Sequence, residues 1–114
     1  MPVSDSQGSG GFLEKRSVPR YTLIATVEVE ESTSGVRISG RVSEISRKGC
    51  YIDVLNTLPA GTMVRLRIIR DQGTFFTRGK IIYVHEGIGM GVLFVDPAPD
   101  QMQILDSWIA DLTA

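Results

Sequence analysis

From Tyr21 to Glu30 the chain alternates almost residue by residue. Tyr21, Leu23, Ala25, Val27 and Val29 fall on one parity and Thr22, Thr26, Glu28 and Glu30 on the other, with Ile24 the exception among the polar set. An extended chain turns successive side chains to opposite faces, so this period requires a strand with one buried face. The same period returns in Val36, Ile38 and Val42, in Cys50, Ile52 and Val54, and in Val64, Leu66 and Ile68. Phe75–His85 reads as a fifth strand, and the period returns in Ile88, Met90, Val92 and Phe94, with Gly87, Gly89 and Gly91 on the other parity of that last run. Turn-forming stretches separate the runs: Ser32–Gly35, Ser46–Gly49, Leu58–Thr62, Asp71–Gly73 and Glu86–Gly87.

Two local irregularities stand out. After Val42 the next apolar residue is Ile45, on the opposite parity, which predicts a bulge or bend at Ser43–Glu44. Gly79, inside the fifth run, is expected to mark a bend. The period then changes. Asp96 reads as an N-cap with Pro97 in the first turn, and Met102, Leu105, Trp108, Ile109 and Leu112 recur at helical spacing, with Gln103, Asp106 and Asp111 opposite. Short, regularly spaced strands followed by one amphipathic helix predict a mainly β fold: a small six-stranded antiparallel barrel capped by a C-terminal helix, with Trp108 as a core anchor. Met1–Gly11, rich in Ser and Gly and without apolar period, reads as a disordered lead-in, leaving 12–114 as one domain.

Composition narrows the function. The longest apolar runs are four residues, Ile81–Val84 and Val92–Val95, too short for a membrane helix. The first residues lack the basic and apolar regions of a signal peptide, and the single Cys50 leaves no internal disulfide, so a cytoplasmic protein is expected. All twelve Lys and Arg lie in residues 1–80, which are net positive, whereas residues 81–114 hold five acids and no Lys or Arg. An anionic ligand would meet the first two thirds of the chain.

No enzyme signature is present, and no cofactor or metal site is expected. His85 has no second His or Cys at metal-binding spacing and reads as structural or solvated; Cys50 reads as a small buried hydrophobe. Gly87-Ile-Gly-Met-Gly91 lies within a strand pattern with no helix after it, so it fails as a dinucleotide loop, and close packing across a barrel is the plainer reading. The polar clusters that remain are Arg16-Ser-Val-Pro-Arg20 before the first strand and Glu44-Ile-Ser-Arg-Lys-Gly49 between the second and third, where Gly49 is expected to supply positive φ or close backbone approach.

Together these two clusters resemble the signature motifs of the PilZ domain family: an RxxxR segment, then D/N-x-S-x-x-G. The resemblance spans about residues 12–112. It implies a receptor for the bacterial second messenger cyclic di-GMP, without catalytic activity, that reports to a protein partner in motility, exopolysaccharide or biofilm control. Arg16 and Arg20 would fork onto phosphate or the guanine O6/N7 edge, the position-44 carboxylate would accept from the guanine N1–H and N2–H₂, and the Ser46 hydroxyl would reach phosphate or base. Gly49 would let the backbone turn beneath the ligand. Pro19 disfavours helix at Val18, so the two arginines would project from an extended, mobile segment that folds over the nucleotide. Lys15 matches a position that the family associates with taking up two intercalated nucleotides, and Arg47 and Lys48 add positive potential. Glu44 departs from the family's Asp or Asn by one methylene. That departure keeps an alternative open, a PilZ-type adaptor that binds protein and no nucleotide. A nucleic-acid polymer is disfavoured by the balanced charge and by the lack of exposed aromatics beyond Tyr51 and Tyr83.

Overall fold

The alternating segments close on themselves because each has one apolar face to bury and no sheet edge to spare. In the computed structural model, which describes residues 18–114, the strands are β1 (Tyr21–Glu31), β2 (Arg37–Ile45), β3 (Gly49–Asp53), β4 (Met63–Arg70), β5 (Gly73–His85) and β6 (Gly89–Val95), followed by helix α1 (Pro99–Thr113). They form a closed antiparallel barrel in the order β1-β2-β3-β6-β5-β4, as the periodicity predicts. The expected lead-in over 1–11, and with it Lys15 and Arg16, lies outside the described residues.

The core is made by the apolar parity of every strand. Leu23, Ala25, Val27 and Val29 of β1 meet Val42, Ile52, Leu66, Ile68, Phe75, Ile81, Met90 and Val92 inside the barrel. Each such Val, Leu, Ile or Phe contributes about 1.5–3 kcal/mol by leaving water. Gly79 belongs to this wall, where close packing leaves no room for a side chain: a Cβ there would lie 2.7 Å from Val92 Cγ1. Ile88, read as the first residue of the last strand, sits instead in the β5–β6 turn and is exposed. In the β1–β2 turn, the Glu31 carboxylate accepts from Thr33 N–H (3.3 Å), Ser34 N–H (3.2 Å) and the Ser34 hydroxyl, which holds its pKa below the usual value.

Bulges decide which side chains face out. Val42 pairs with Ile52 and Glu44 with Tyr51, so Ser43 is an extra residue where the parity switch predicts one. Val42 and Ile45 both stay buried, and Glu44 turns outward. A second bulge, with no parity signal, lies in β5. Ile81 pairs with Val92 and Tyr83 with Gly91, leaving Ile82 unmatched. Odd-numbered residues of β5 face inward through Ile81; the inserted residue sends Tyr83 to the outer wall and Val84 toward the core.

Helix α1 begins two residues later than the sequence suggests. Ala98 is the N-cap, without a side-chain cap, and Pro99 opens the first turn; Asp96 takes a left-handed conformation (φ 47°) in the preceding turn. Leu105 and Trp108 are buried, and Trp108 packs edge-to-face on Phe75 at 6.4 Å, as expected of a core anchor. Gln101 Oε1 accepts from Phe76 N–H at 2.7 Å, fixing the helix start against β5.

Candidate functional site

The second motif folds into a tight turn locked by its own serine. Ser46 Oγ accepts from the N–H groups of Lys48 (3.0 Å) and Gly49 (3.2 Å), and Ser46 N–H donates to the Gly49 carbonyl at 2.9 Å. The Lys48 carbonyl in turn accepts from Phe94 N–H at 2.8 Å, which pins the turn to β6. Ser46 is fully buried, so the hydroxyl that the resemblance assigns to ligand is engaged in the turn. Gly49 is the buried first residue of β3; among the described residues the glycines with positive φ are Gly35, Gly61 and Gly87.

Arg47, inside the motif, faces away from it. Its guanidinium grips Asp106 of α1 with Nε–Oδ1 at 2.7 Å and Nη2–Oδ2 at 3.2 Å, which raises the Arg47 pKa further. Arg20 and Glu44, from the two motifs, do meet: Arg20 Nη1 lies 3.5 Å from Glu44 Oε1, with the two side chains 46% and 37% exposed.

Beside that pair runs a row that no motif announces. The register places Glu44, Tyr51, Gly91 and Tyr83 side by side across β2, β3, β6 and β5 on the outer wall. Gly91 has no side chain to separate its neighbours, so the tyrosine rings close over it with centroids 6.1 Å apart. Two residues earlier, Gly89 leaves the same kind of space: a Cβ there would stand 2.5 Å from the Tyr51 hydroxyl and 2.6 Å from the Ile52 carbonyl. The two glycines thus form the floor of an outer aromatic wall, and their packing is with the tyrosines and not across the barrel interior. His85 completes the wall, with Nδ1 sharing a hydrogen bond of 2.9 Å with the Tyr51 hydroxyl and its ring 5.3 Å from Tyr83. The Tyr83 phenol has a raised pKa, first from burial and then from Tyr51 and Glu44, with Arg20 opposing; both motif residues therefore act on it electrostatically.

The structure thus brings Arg20 and Glu44 together at one edge of an aromatic surface, with Ser46 and Gly49 shaping the turn nearby and Arg47 bound to the helix. The tyrosine wall and His85 are what the motif reading missed as site residues. The signal that could have found them is the pair of glycines at alternate positions opposite Met90 and Val92. Such a site offers one cation, one carboxylate and a stacking surface, a set suited to a nucleobase and a phosphate. Among the described residues no cluster of three or more His, Cys, Asp or Glu is placed to hold a metal ion. Cys50 is fully buried, with its thiol pKa pushed up to about 12.

Comparison with known proteins adds three kinds of finding. The family model described as PilZ domain matches residues 14–111. Among curated proteins there is no significant match. Solved structures of similar fold include the PilZ domain with c-di-GMP of YcgR from Escherichia coli, at TM-score 0.73 and 14% identity over 88% of this chain and 92% of that one. The PilZ domain of CeSA from a cellulose-synthesizing bacterium aligns at TM-score 0.65 and 19% identity, covering 84% and 99% of the two chains. The Bacillus subtilis inhibitor of motility MotI/DgrA aligns at TM-score 0.68 and 18% identity over 84% of this chain and 49% of that one. At these identities the likeness is one of fold.

Proposed function

The chain belongs to the PilZ domain family, and from that membership we propose that it is a receptor for cyclic di-GMP, held at the Arg20–Glu44 edge of the tyrosine wall. The observation that carries this reading is the 3.5 Å approach of Arg20 to Glu44, which puts the two halves of the signature beside one another and beside Tyr83. An exposed pair of this kind is worth about 0–1 kcal/mol, so a ligand displaces it cheaply. The nucleotide phosphate takes the Arg20 fork, the guanine N1–H and N2–H₂ donate to Glu44, and a purine face lies on Tyr83. Arg16, four residues before Arg20, supplies the second fork and Lys15 a further charge, as residues 12–20 are drawn onto the wall. Ser46 and Gly49 hold the turn that aims Glu44. Arg47 contributes through its hold on α1, so that events at the motif are felt by the helix and by a downstream protein partner. No step of this function needs catalysis or a cofactor.

Calorimetry with cyclic di-GMP on the wild type, Arg16→Ala and Arg20→Ala is the test. Binding by the wild type and its loss in both variants is the expected result; no heat from the wild type at millimolar ligand would sink the receptor reading. Two observations favour the second reading, a PilZ-type adaptor without nucleotide: Glu44 is one methylene longer than the family's Asp or Asn, and the Ser46 and Arg47 side chains are already engaged. The same titration separates the two.

A further inference from the structure

A second charged surface lies at the other end of β1. The register aligns Arg37 of β2, Glu30 of β1, Arg65 of β4 and Arg78 of β5 in one row across the outer wall. The adjoining row sets Ser39, Glu28, Arg67 and Phe76 side by side. Arg65 and Arg78 are thus direct cross-strand neighbours, an arrangement that costs stability because like charges face each other. Their acidic neighbours hold them loosely: Arg67–Glu28 is 3.6 Å, Arg78–Asp96 3.9 Å and Arg65–Glu30 4.0 Å. Arg37 makes no ion pair among the described residues. Phe76 stands 49% exposed among them, with the Arg67 guanidinium carbon 5.4 Å from its ring centroid.

Two grooves run here, of about 240 and 340 Å³, and they share Arg65, Leu66 and Phe76. They adjoin at those residues, so that the grooved surface reaches from Arg37 past Phe76 to Pro97 and Gln101 at the start of α1. The core beneath is already complete, since Val29 and Leu66 are buried, so packing does not account for these outward residues. We propose that this grooved surface docks an acidic protein segment, with carboxylates seated among Arg37, Arg65, Arg67 and Arg78 and one aromatic or aliphatic side chain against Phe76. Charge complementarity selects that partner. Glu28 and Glu30 lie within the arginine rows, where the regular phosphates of a nucleic acid would be repelled; a protein segment can place neutral or basic residues opposite them. The concave path beside Phe76 suits a chain more than a flat lipid surface. From Tyr21 to Glu30 is about 30 Å along β1, so the surface stays open when the Arg20–Glu44 edge is occupied.

The test is an amide NMR titration of the ¹⁵N-labelled full chain with a short Glu/Asp peptide bearing one central Trp. Its Gln/Asn counterpart, a single-stranded oligonucleotide of equal charge and phosphatidylglycerol vesicles form the other arms. Expected are shifts confined to Arg37, Arg65, Arg67, Phe76 and Arg78 with the acidic peptide, none with the neutral one, and about tenfold weaker binding to the Arg65→Gln/Arg78→Gln variant. The proposal is overturned by shifts elsewhere, by no shifts, by unchanged affinity in the variant, or by tighter binding of the oligonucleotide or vesicles to these arginines. Both substitutions are on the surface, and an otherwise unchanged amide spectrum establishes the fold of the variant. Peptide docking without cyclic di-GMP binding would leave this proposal standing and remove the receptor reading alone.

Discussion

At the scale of single residues, the site rests on two kinds of position. Tyr83 is the stronger of the two stacking candidates because both Glu44 and Arg20 act on its phenol electrostatically. Replacing it by Ala is expected to weaken cyclic di-GMP binding by about 1–3 kcal/mol, the worth of one base–aromatic stack, with thermal stability little changed. Calorimetry against a melting curve separates the two effects. Gly89 is the opposite kind of position, where any side chain intrudes. A Cβ there meets the Tyr51 hydroxyl at 2.5 Å and the Ile52 carbonyl at 2.6 Å, and the carbonyl, being backbone, has little room to yield. Gly89→Ala is expected to cost about 1–3 kcal/mol by overpacking, and scanning calorimetry should show a melting point several degrees lower. An unchanged melting point would mean that the tyrosine wall gives way freely. Glu44 was legible as a site residue from its motif; Tyr83 was legible only as an exposed aromatic, because its place across Gly91 from Tyr51 depends on the insertion at Ile82.

At the scale of elements, the turn between β2 and β3 is the joint between site and helix. Ser46 holds it from within, accepting from the buried Gly49 N–H and the part-buried Lys48 N–H. Ser46→Ala removes that acceptor and is expected to destabilise by about 1–3 kcal/mol, measured by urea unfolding. Arg47→Ala is expected to behave differently. Its pair with Asp106 is well aligned, but the two side chains are 59% and 49% exposed, so its loss should cost at most about 1 kcal/mol globally. The effect should appear instead as faster amide exchange in α1 near Asp106, where the helix loses its tie to the motif. Equal exchange rates in variant and wild type would show that the helix is held without Arg47, by Leu105, Trp108 and the Gln101 contact to β5. Sequence periodicity located every strand and the helix. It misplaced their ends at Ile88 and Asp96, where the turn geometry of Gly87 and the left-handed Asp96 override the pattern.

For the whole molecule, the barrel isolates its one thiol. Burial lifts the Cys50 pKa from 9.0 to about 12. Between those values the unfolded chain binds fewer protons than the folded one, so stability falls as pH rises through that window. The thiol's share is about 1.4 kcal/mol per pH unit. Urea unfolding at successive alkaline pH values is expected to show the wild type losing stability faster than Cys50→Ala, which lacks this group but keeps the raised tyrosines. Parallel slopes would rule out the thiol as the cause. The distribution of charge belongs to this scale too. The basic two thirds of the sequence does not form one patch. The fold spreads it: Arg20 and the arginine rows around Phe76 lie about 30 Å apart along β1, Arg47 and Arg70 pair with acids of α1, and Arg41 pairs with Asp53.

The sequence alone was enough for the architecture, the core and the Ser43 bulge, because period-two burial is a local property written residue by residue. It also identified the two motifs and the departure at Glu44. What only the tertiary structure decided was who meets whom across strands. Cross-strand neighbours depend on register, and one inserted residue, at Ile82, reverses every side chain beyond it. That reversal brings Tyr83 over Gly91 to Tyr51. Likewise, only the packing of α1 against the barrel binds Arg47 to Asp106, across 59 positions of sequence.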